Sequence, residues 1–140
     1  MNIYFSCSIT GGRNEERTYQ KIVQTLEEEG HFVPTAHLST PQVMELENIV
    51  DPVDTYLRDM KWLHEADAVV AEASTPSHGV GYELATALNL NKPVFCAYHR
   101  EKRISKIITG NTSPTLLLAP YSSDEEVISL LRQFLAQLRT

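Results

Sequence analysis

The run Ala68-Val69-Val70-Ala71, ending on Glu72, and the stretch Ser74-Thr75-Pro76-Ser77-His78-Gly79-Val80-Gly81-Tyr82-Glu83-Leu84 behind it constrain the fold most. An unbroken apolar run has no polar face to offer water, so it reads as a strand covered on both sides. The segment from about Val80 to Leu90 is patterned as a helix, and Asn91-Lys92-Pro93 ends it. Strand, small-residue loop, then helix is a junction that aims backbone N–H groups at one point and favours an anion there. The pair Gly79-x-Gly81 alone says little. Its position after a buried strand, with Ser77 before it and Glu83 after it, says more.

The same alternation runs along the chain. Ile3 to Cys7 reads as a buried first strand, and Tyr19, Ile22, Val23 and Leu26 follow at helical spacing until Gly30 caps the helix. His31 to Ala36 is expected to form a short second strand. Thr40-Pro41 is a candidate start for a short helix, and Asp51-Pro52 opens another that carries Val53, Tyr56, Leu57, Met60 and Leu63. Pro93 to Tyr98 and Thr115 to Leu118 read as strands four and five. Lys102 to Thr109 is a short helix stopped by Gly110, and Asp124 to Leu138 a final amphipathic one. The prediction is an α/β chain, one domain over residues 1–140. It has an open, mostly parallel five-stranded sheet with helices on both faces, Rossmann-like or flavodoxin-like. Ligands of such sheets bind beyond the carboxyl ends of the strands. That rule brings Ser8 to Arg13, Ala36 to Ser39 and Ser74 to Glu83 to one edge.

Composition excludes some partners. A net charge of −6 argues against a general nucleic-acid binder, which needs a basic stripe. No apolar stretch is long enough to span a membrane, and Met1 to Phe5 lacks the basic flank of a signal peptide. Cys7 and Cys96 lie in or beside strands and read as small buried hydrophobes in a reducing compartment, so a cytoplasmic location is expected. There is no Cys/His cluster of metal-ligand type, and no metal or other cofactor is expected.

Each candidate residue has a plain reading beside the chemical one. Ser8-Ile9-Thr10-Gly11-Gly12-Arg13 is either a tight turn or a loop whose glycines let backbone approach a nucleotide. It matches neither the P-loop nor the G-x-G-x-x-G pattern. Glu83 is either an acidic residue favoured near a helix start or a carboxylate nucleophile kept ionised by the helix dipole. Ser77 is an N-cap or a phosphate ligand. Asp59 is a boundary residue facing water, or an inward carboxyl whose pKa burial and a second carboxylate raise, making it a proton donor. Tyr4 is most simply core, and His37 a loop residue.

Taken together, Tyr4-Phe5-Ser6-Cys7-Ser8-Ile9-Thr10-Gly11-Gly12-Arg13, Asp59-Met60-Lys61-Trp62-Leu63 and Ala68 through Leu84 resemble the nucleoside 2-deoxyribosyltransferase superfamily, and within it the branch of 2'-deoxynucleoside 5'-phosphate N-hydrolases. The resemblance runs from the first strand to about Gly110. It implies that Glu83 attacks the sugar C1', that Asp59 assists departure of the base, and that Tyr4 positions the carboxylate. It also implies that Ser77 and Gly79 hold a 5'-phosphate, with Cys7 to Arg13 and His37 near the substrate. Ser105 matches a serine supplied to the phosphate by the partner subunit of a homodimer. Thr10 departs from the mammalian hydrolase, which carries arginine there. The implied activity is hydrolysis of nucleoside 5'-monophosphates. The alternatives are base exchange on unphosphorylated nucleosides and a non-catalytic nucleotide-binding module.

Overall fold

The computed structural model describes all 140 residues. Four parallel strands form one sheet in the order β1 (Ile3–Ser6), β2 (Ala68–Glu72), β3 (Val94–His99), β4 (Leu116–Tyr121). Ile3 pairs with Ala68, Val69 with Val94, and Val94 with Leu116. Every residue of β1 and β2 is buried, as a strand covered on both faces must be.

Period-two alternation divides the core between the two faces. Ile3, Phe5, Val70 and Phe95 face α1 (Glu16–Glu28) and α6 (Asp124–Leu138), where they meet Tyr19, Leu26, Leu131 and Phe134. Tyr4, Val69, Ala71 and Cys96 face the other way, onto Leu63 of α3 (Pro52–Glu65) and Val80, Leu84 and Ala87 of α4 (His78–Asn89). The expected start of α3 holds: Asp51 is its N-cap, its side chain accepting a bond from Val53 N at 2.8 Å, with Pro52 in the first turn. α6 spans the predicted residues and is capped by Ser123.

The second strand of the sequence reading is not formed, and the sheet has four strands rather than five. Only one parallel bridge, Asn2 to Phe32, remains on the outer side of β1. Pro34 has no N–H to give to a ladder. Beyond it the Thr35 hydroxyl does the pairing instead, accepting from Phe5 N at 2.9 Å and donating to Phe5 O at 2.8 Å. A side chain thus satisfies the edge of β1, and the chain turns away as a 3₁₀ turn over Ala36–Ser39.

Residues 38–50, whose path the sequence pattern leaves open, contain α2 (Val43–Asn48), close behind the Thr40-Pro41 signal. The short helix expected from Lys102 is only α5 (Lys106–Thr109), capped by the Ser105 side chain. No helix is long and apolar enough to cross a membrane.

The first crossover leaves β1 on the Phe32 side and the next returns on the β2 side. The direction of winding therefore reverses at β1, and the crevice at such a switch point lies beyond the ends of β1 and β2. Two loops close on that crevice. A Cβ at Gly11 would lie 2.4 Å from the Pro76 carbonyl oxygen, so only glycine lets the β1–α1 loop approach the β2–α4 loop this closely. Gly12 next to it sits at φ +117°.

Candidate active site

The site is built on the Tyr4 face of β1. Tyr4 and Ser6 are two residues apart and point to the same side, beneath the second turn of α4. Both hydroxyls donate to Glu83: Tyr4 to Oε2, and Ser6 to Oε1 at 2.9 Å. Each carboxylate oxygen is therefore fixed by one donor. Burial pushes the Glu83 carboxyl up to about 8. The two donated hydrogen bonds favour its charged form and act against that rise.

This corrects one expectation. α4 begins at His78, which makes Glu83 its sixth residue, and the dipole acts mainly within the first turn. Hydroxyl donors, rather than the helix dipole, hold this carboxylate.

Glu83 lines a cavity of about 460 Å³. Asp59, from the middle of α3, lines the same cavity, as do Ser77 and Gly79 at the head of α4 and Cys7, Ile9 and Thr10 from the β1–α1 loop. Burial raises the Asp59 carboxyl above its ordinary value, while the neighbouring Arg58 guanidinium pulls it back. The carboxylate whose charge adds to the rise is Glu47 of α2.

A second cavity of about 550 Å³ adjoins the first, sharing Thr10 and Ser77. Gly11, Arg103 and Ser105 also line it. Ser77 is the N-cap of α4, its hydroxyl accepting from Val80 N at 3.3 Å. The N–H groups of His78 and Gly79 make no hydrogen bond, which leaves two donors at the junction of the cavities. Hydroxyls, free N–H groups and a guanidinium around one space suit an anion.

Other residues singled out from sequence stand behind this surface. Arg13 donates to Glu16 at 2.8 Å, to the Ser8 carbonyl and to the Thr40 carbonyl, both at 3.2 Å, so it ties three segments together. Ser8 is fully buried and its hydroxyl has no partner. Gly12 serves the turn. His37 Nε2 meets Glu47 Oε1 at 2.8 Å, and its ring packs edge-on against Trp62. Cys7 and Cys96 are buried free thiols, and burial pushes both up to about 12. No three His, Cys, Asp or Glu side chains converge as metal ligands.

Three residues escaped the sequence reading. Ser6 was findable, because it lies one strand period from Tyr4 and must share its face. Glu47 and Arg58 were not, since the path of α2 carried no clear signal.

The family model for nucleoside 2-deoxyribosyltransferase matches residues 3–126. The chain belongs to the nucleoside 2-deoxyribosyltransferase family. It is 37% identical over 139 residues to the 5-hydroxymethyl-dUMP N-hydrolase of Esox lucius, covering 96% of this chain and 95% of that protein. It is 36% identical over 141 residues to the enzyme of the same name from Danio rerio, covering 99% and 98%. A Nematostella vectensis protein provisionally named 2'-deoxynucleoside 5'-phosphate N-hydrolase 1 is 38% identical over 141 residues, covering 97% and 95%. In fold the chain is similar to the Clostridium botulinum CMP N-glycosidase, with TM-score 0.73 and 19% identity over 94% of this chain and 98% of that one.

Proposed function

We propose that this protein hydrolyses the N-glycosidic bond of (2'-deoxy)nucleoside 5'-monophosphates through a glycosyl ester on Glu83, giving free base and (deoxy)ribose 5-phosphate. N-glycosidase chemistry is the activity for which its relatives are named. One observation carries the finer reading: a carboxylate clamped by two hydroxyls shares a cavity with a second carboxyl, beside a pocket of anion donors.

A Glu83 oxygen closes on C1' as the C1'–N bond breaks, and the bonding pair leaves with the base. Asp59 gives its proton to that base. Positive charge at C1' in the transition state is met by the Glu83 carboxylate. Water then attacks C1', Asp59 takes a proton from it, and Glu83 leaves. Tyr4 and Ser6 hold the carboxylate so that little reorganisation remains for the reaction. Ser77, Gly79 and Ser105 serve the 5'-phosphate. In the cytoplasm the protein acts as a homodimer in which Ser105, which lines the second cavity of its own chain, reaches across the dimer contact to the phosphate of the partner's site.

A panel of deoxy and ribo monophosphates, with the matching nucleosides offered together with a second base, tests the reading. Base release from monophosphates is expected, with little from nucleosides. Ser105→Ala should weaken monophosphate use far more than nucleoside use. Mixing Ser105→Ala chains with Glu83→Gln chains should restore one competent site per mixed dimer. Base exchange on nucleosides, with no release from monophosphates, would establish the transferase instead.

The pH profile gives a further expectation. One proton must be off Glu83 and one on Asp59, so kcat/KM is bell-shaped, and its limbs belong to the pair. Glu83 holds the higher of the two pKa values, so activity is expected to fall above about 8. Tyr4→Phe removes one donor from the Glu83 carboxylate and should move that alkaline limb upward. A limb left in place would mean that the Tyr4 hydroxyl does not stabilise the charged carboxylate.

A further inference from the structure

Asp59 is not an isolated carboxyl. Its Oδ1 accepts from Arg58 Nε at 2.9 Å, while Oδ2 makes no hydrogen bond within the protein, and the residue lines the cavity. Adjacent residues on a helix do not face each other, so this bond does not come from the backbone geometry of α3. Arg58 is turned into place by Glu47 of α2 and by Trp62 one turn along α3. Its Nη2 reaches Glu47 Oε1 at 3.0 Å and Oε2 at 3.3 Å, and its guanidinium lies over the Trp62 ring at 4.9 Å. Glu47 is itself fixed by His37 Nε2 at 2.8 Å. The Glu47 and Asp59 side chains are 13% and 20% exposed, so water screens this row of charges poorly.

We propose that Arg58, held from behind by Glu47 and Trp62, is the positioning residue that presents Asp59 to the substrate: it occupies Oδ1 and leaves Oδ2 as the oxygen that works on the departing base. The role rests on the N-glycosidase reading, but the geometry behind it does not. Arg58 makes no contact with the cavity and acts only through its neighbour. Glu47 sets how much of the guanidinium's charge reaches Asp59, because the two carboxylates divide one cation. Through Glu47, α2 is coupled to the reacting groups. The other titratable groups facing this space are Cys7 after β1, Tyr56 on α3, and Tyr82 and Glu83 on α4, with His37 behind Glu47.

Opposite charge changes around Asp59 give the test its signs. Arg58→Met removes a cation, so the Asp59 carboxyl should titrate at higher pH. Glu47→Gln removes a competing anion, so it should titrate at lower pH. Both are read by carboxyl carbon NMR titration, with Asp59→Asn assigning the signal. With substrate, the acidic limb of kcat/KM should move in the same two directions. Arg58→Met should lower kcat about tenfold with KM within about twofold, and Arg58→Lys should recover part of the loss. In the Asp59→Asn background Arg58→Met should change nothing further. An Asp59 titration unmoved by Arg58→Met, or an equal loss of kcat in the Asp59→Asn background, overturns the proposal. The NMR arm reads the charge coupling even in a protein that releases no base. Failure of the N-glycosidase reading is therefore distinct from failure of this one.

Discussion

Replacing Glu83 with glutamine is expected to abolish base release, by about 10⁴-fold or more, and to stabilise the fold at alkaline pH. The loss follows from the chemistry, because an amide cannot close on C1' as a carboxylate does. The gain follows from burial. The Glu83 carboxyl titrates near 8 in the folded chain and at its ordinary value of 4.5 when unfolded. Between those values the native state holds a proton that the unfolded chain has lost. Stability contributed by this group is whole below the unfolded value and is lost as pH rises through the folded one. Above about 8 the native state carries a buried charge, and glutamine removes it. The difference between 4.5 and about 8 corresponds to about 5 kcal/mol, an upper bound that the two hydroxyl bonds to the charged form cut to a few kcal/mol, or several degrees in Tm.

The Glu83→Gln side chain still fills the space, and the hydroxyls of Tyr4 and Ser6 can turn to meet its amide. Thermal melts across pH check the prediction. The two proteins should melt alike in acid, and the variant should melt higher in base. A variant less stable at every pH would show that the hydroxyl clamp outweighs the burial of charge. A variant that still released base at wild-type rate would remove Glu83 from the chemistry. Trapping is a second check on the same residue: during turnover the wild type should carry a deoxyribose 5-phosphate adduct, detectable as a mass increase, and the variant should not.

How much of this could be read from the chain depended on the range of the interaction involved. The buried strands, the Asp51-Pro52 start of α3 and the full span of α6 were legible because period and capping chemistry are local. The strand expected from His31 to Ala36 failed because a tertiary competitor, the Thr35 hydroxyl on the Phe5 backbone, took over the pairing. Pro34, which has no N–H for a ladder, is the one local signal against that strand. The loops of the site were legible through the rule that ligands of such sheets bind beyond the carboxyl ends of the strands. Ser6 was recoverable from strand period once Tyr4 was singled out. The Glu47–Arg58 pair was not recoverable, because it joins two helices across a segment without periodicity and depends on where α2 comes to rest. The dipole argument for Glu83 misjudged the helix start by two residues, and that error was enough to put the carboxylate beyond the first turn.

The second large effect concerns Asp59→Asn. Removing a general acid typically costs about 10²–10⁴-fold, and the cost should depend on the base. An ordinary purine or pyrimidine leaves as an anion unless it is protonated, so Asp59 matters most there. N7-methylguanine already carries a positive charge in the nucleotide and departs neutral without a proton. Its release should survive Asp59→Asn nearly intact, while release of unmethylated guanine falls by the full amount. Asparagine keeps the Oδ1 that Arg58 donates to, so the positioning bond persists and the comparison isolates the proton. Burial already raises the Asp59 carboxyl, so the neutral side chain should not cost stability either. Single-turnover rates for the two nucleotides, measured with both proteins, decide the role. A selective loss identifies Asp59 as the proton donor. Equal losses on both bases would leave it only an orienting function, and the bell-shaped profile would then have to lose its alkaline limb, its acidic limb being set by Glu83 alone, with activity rising rather than falling through about 8.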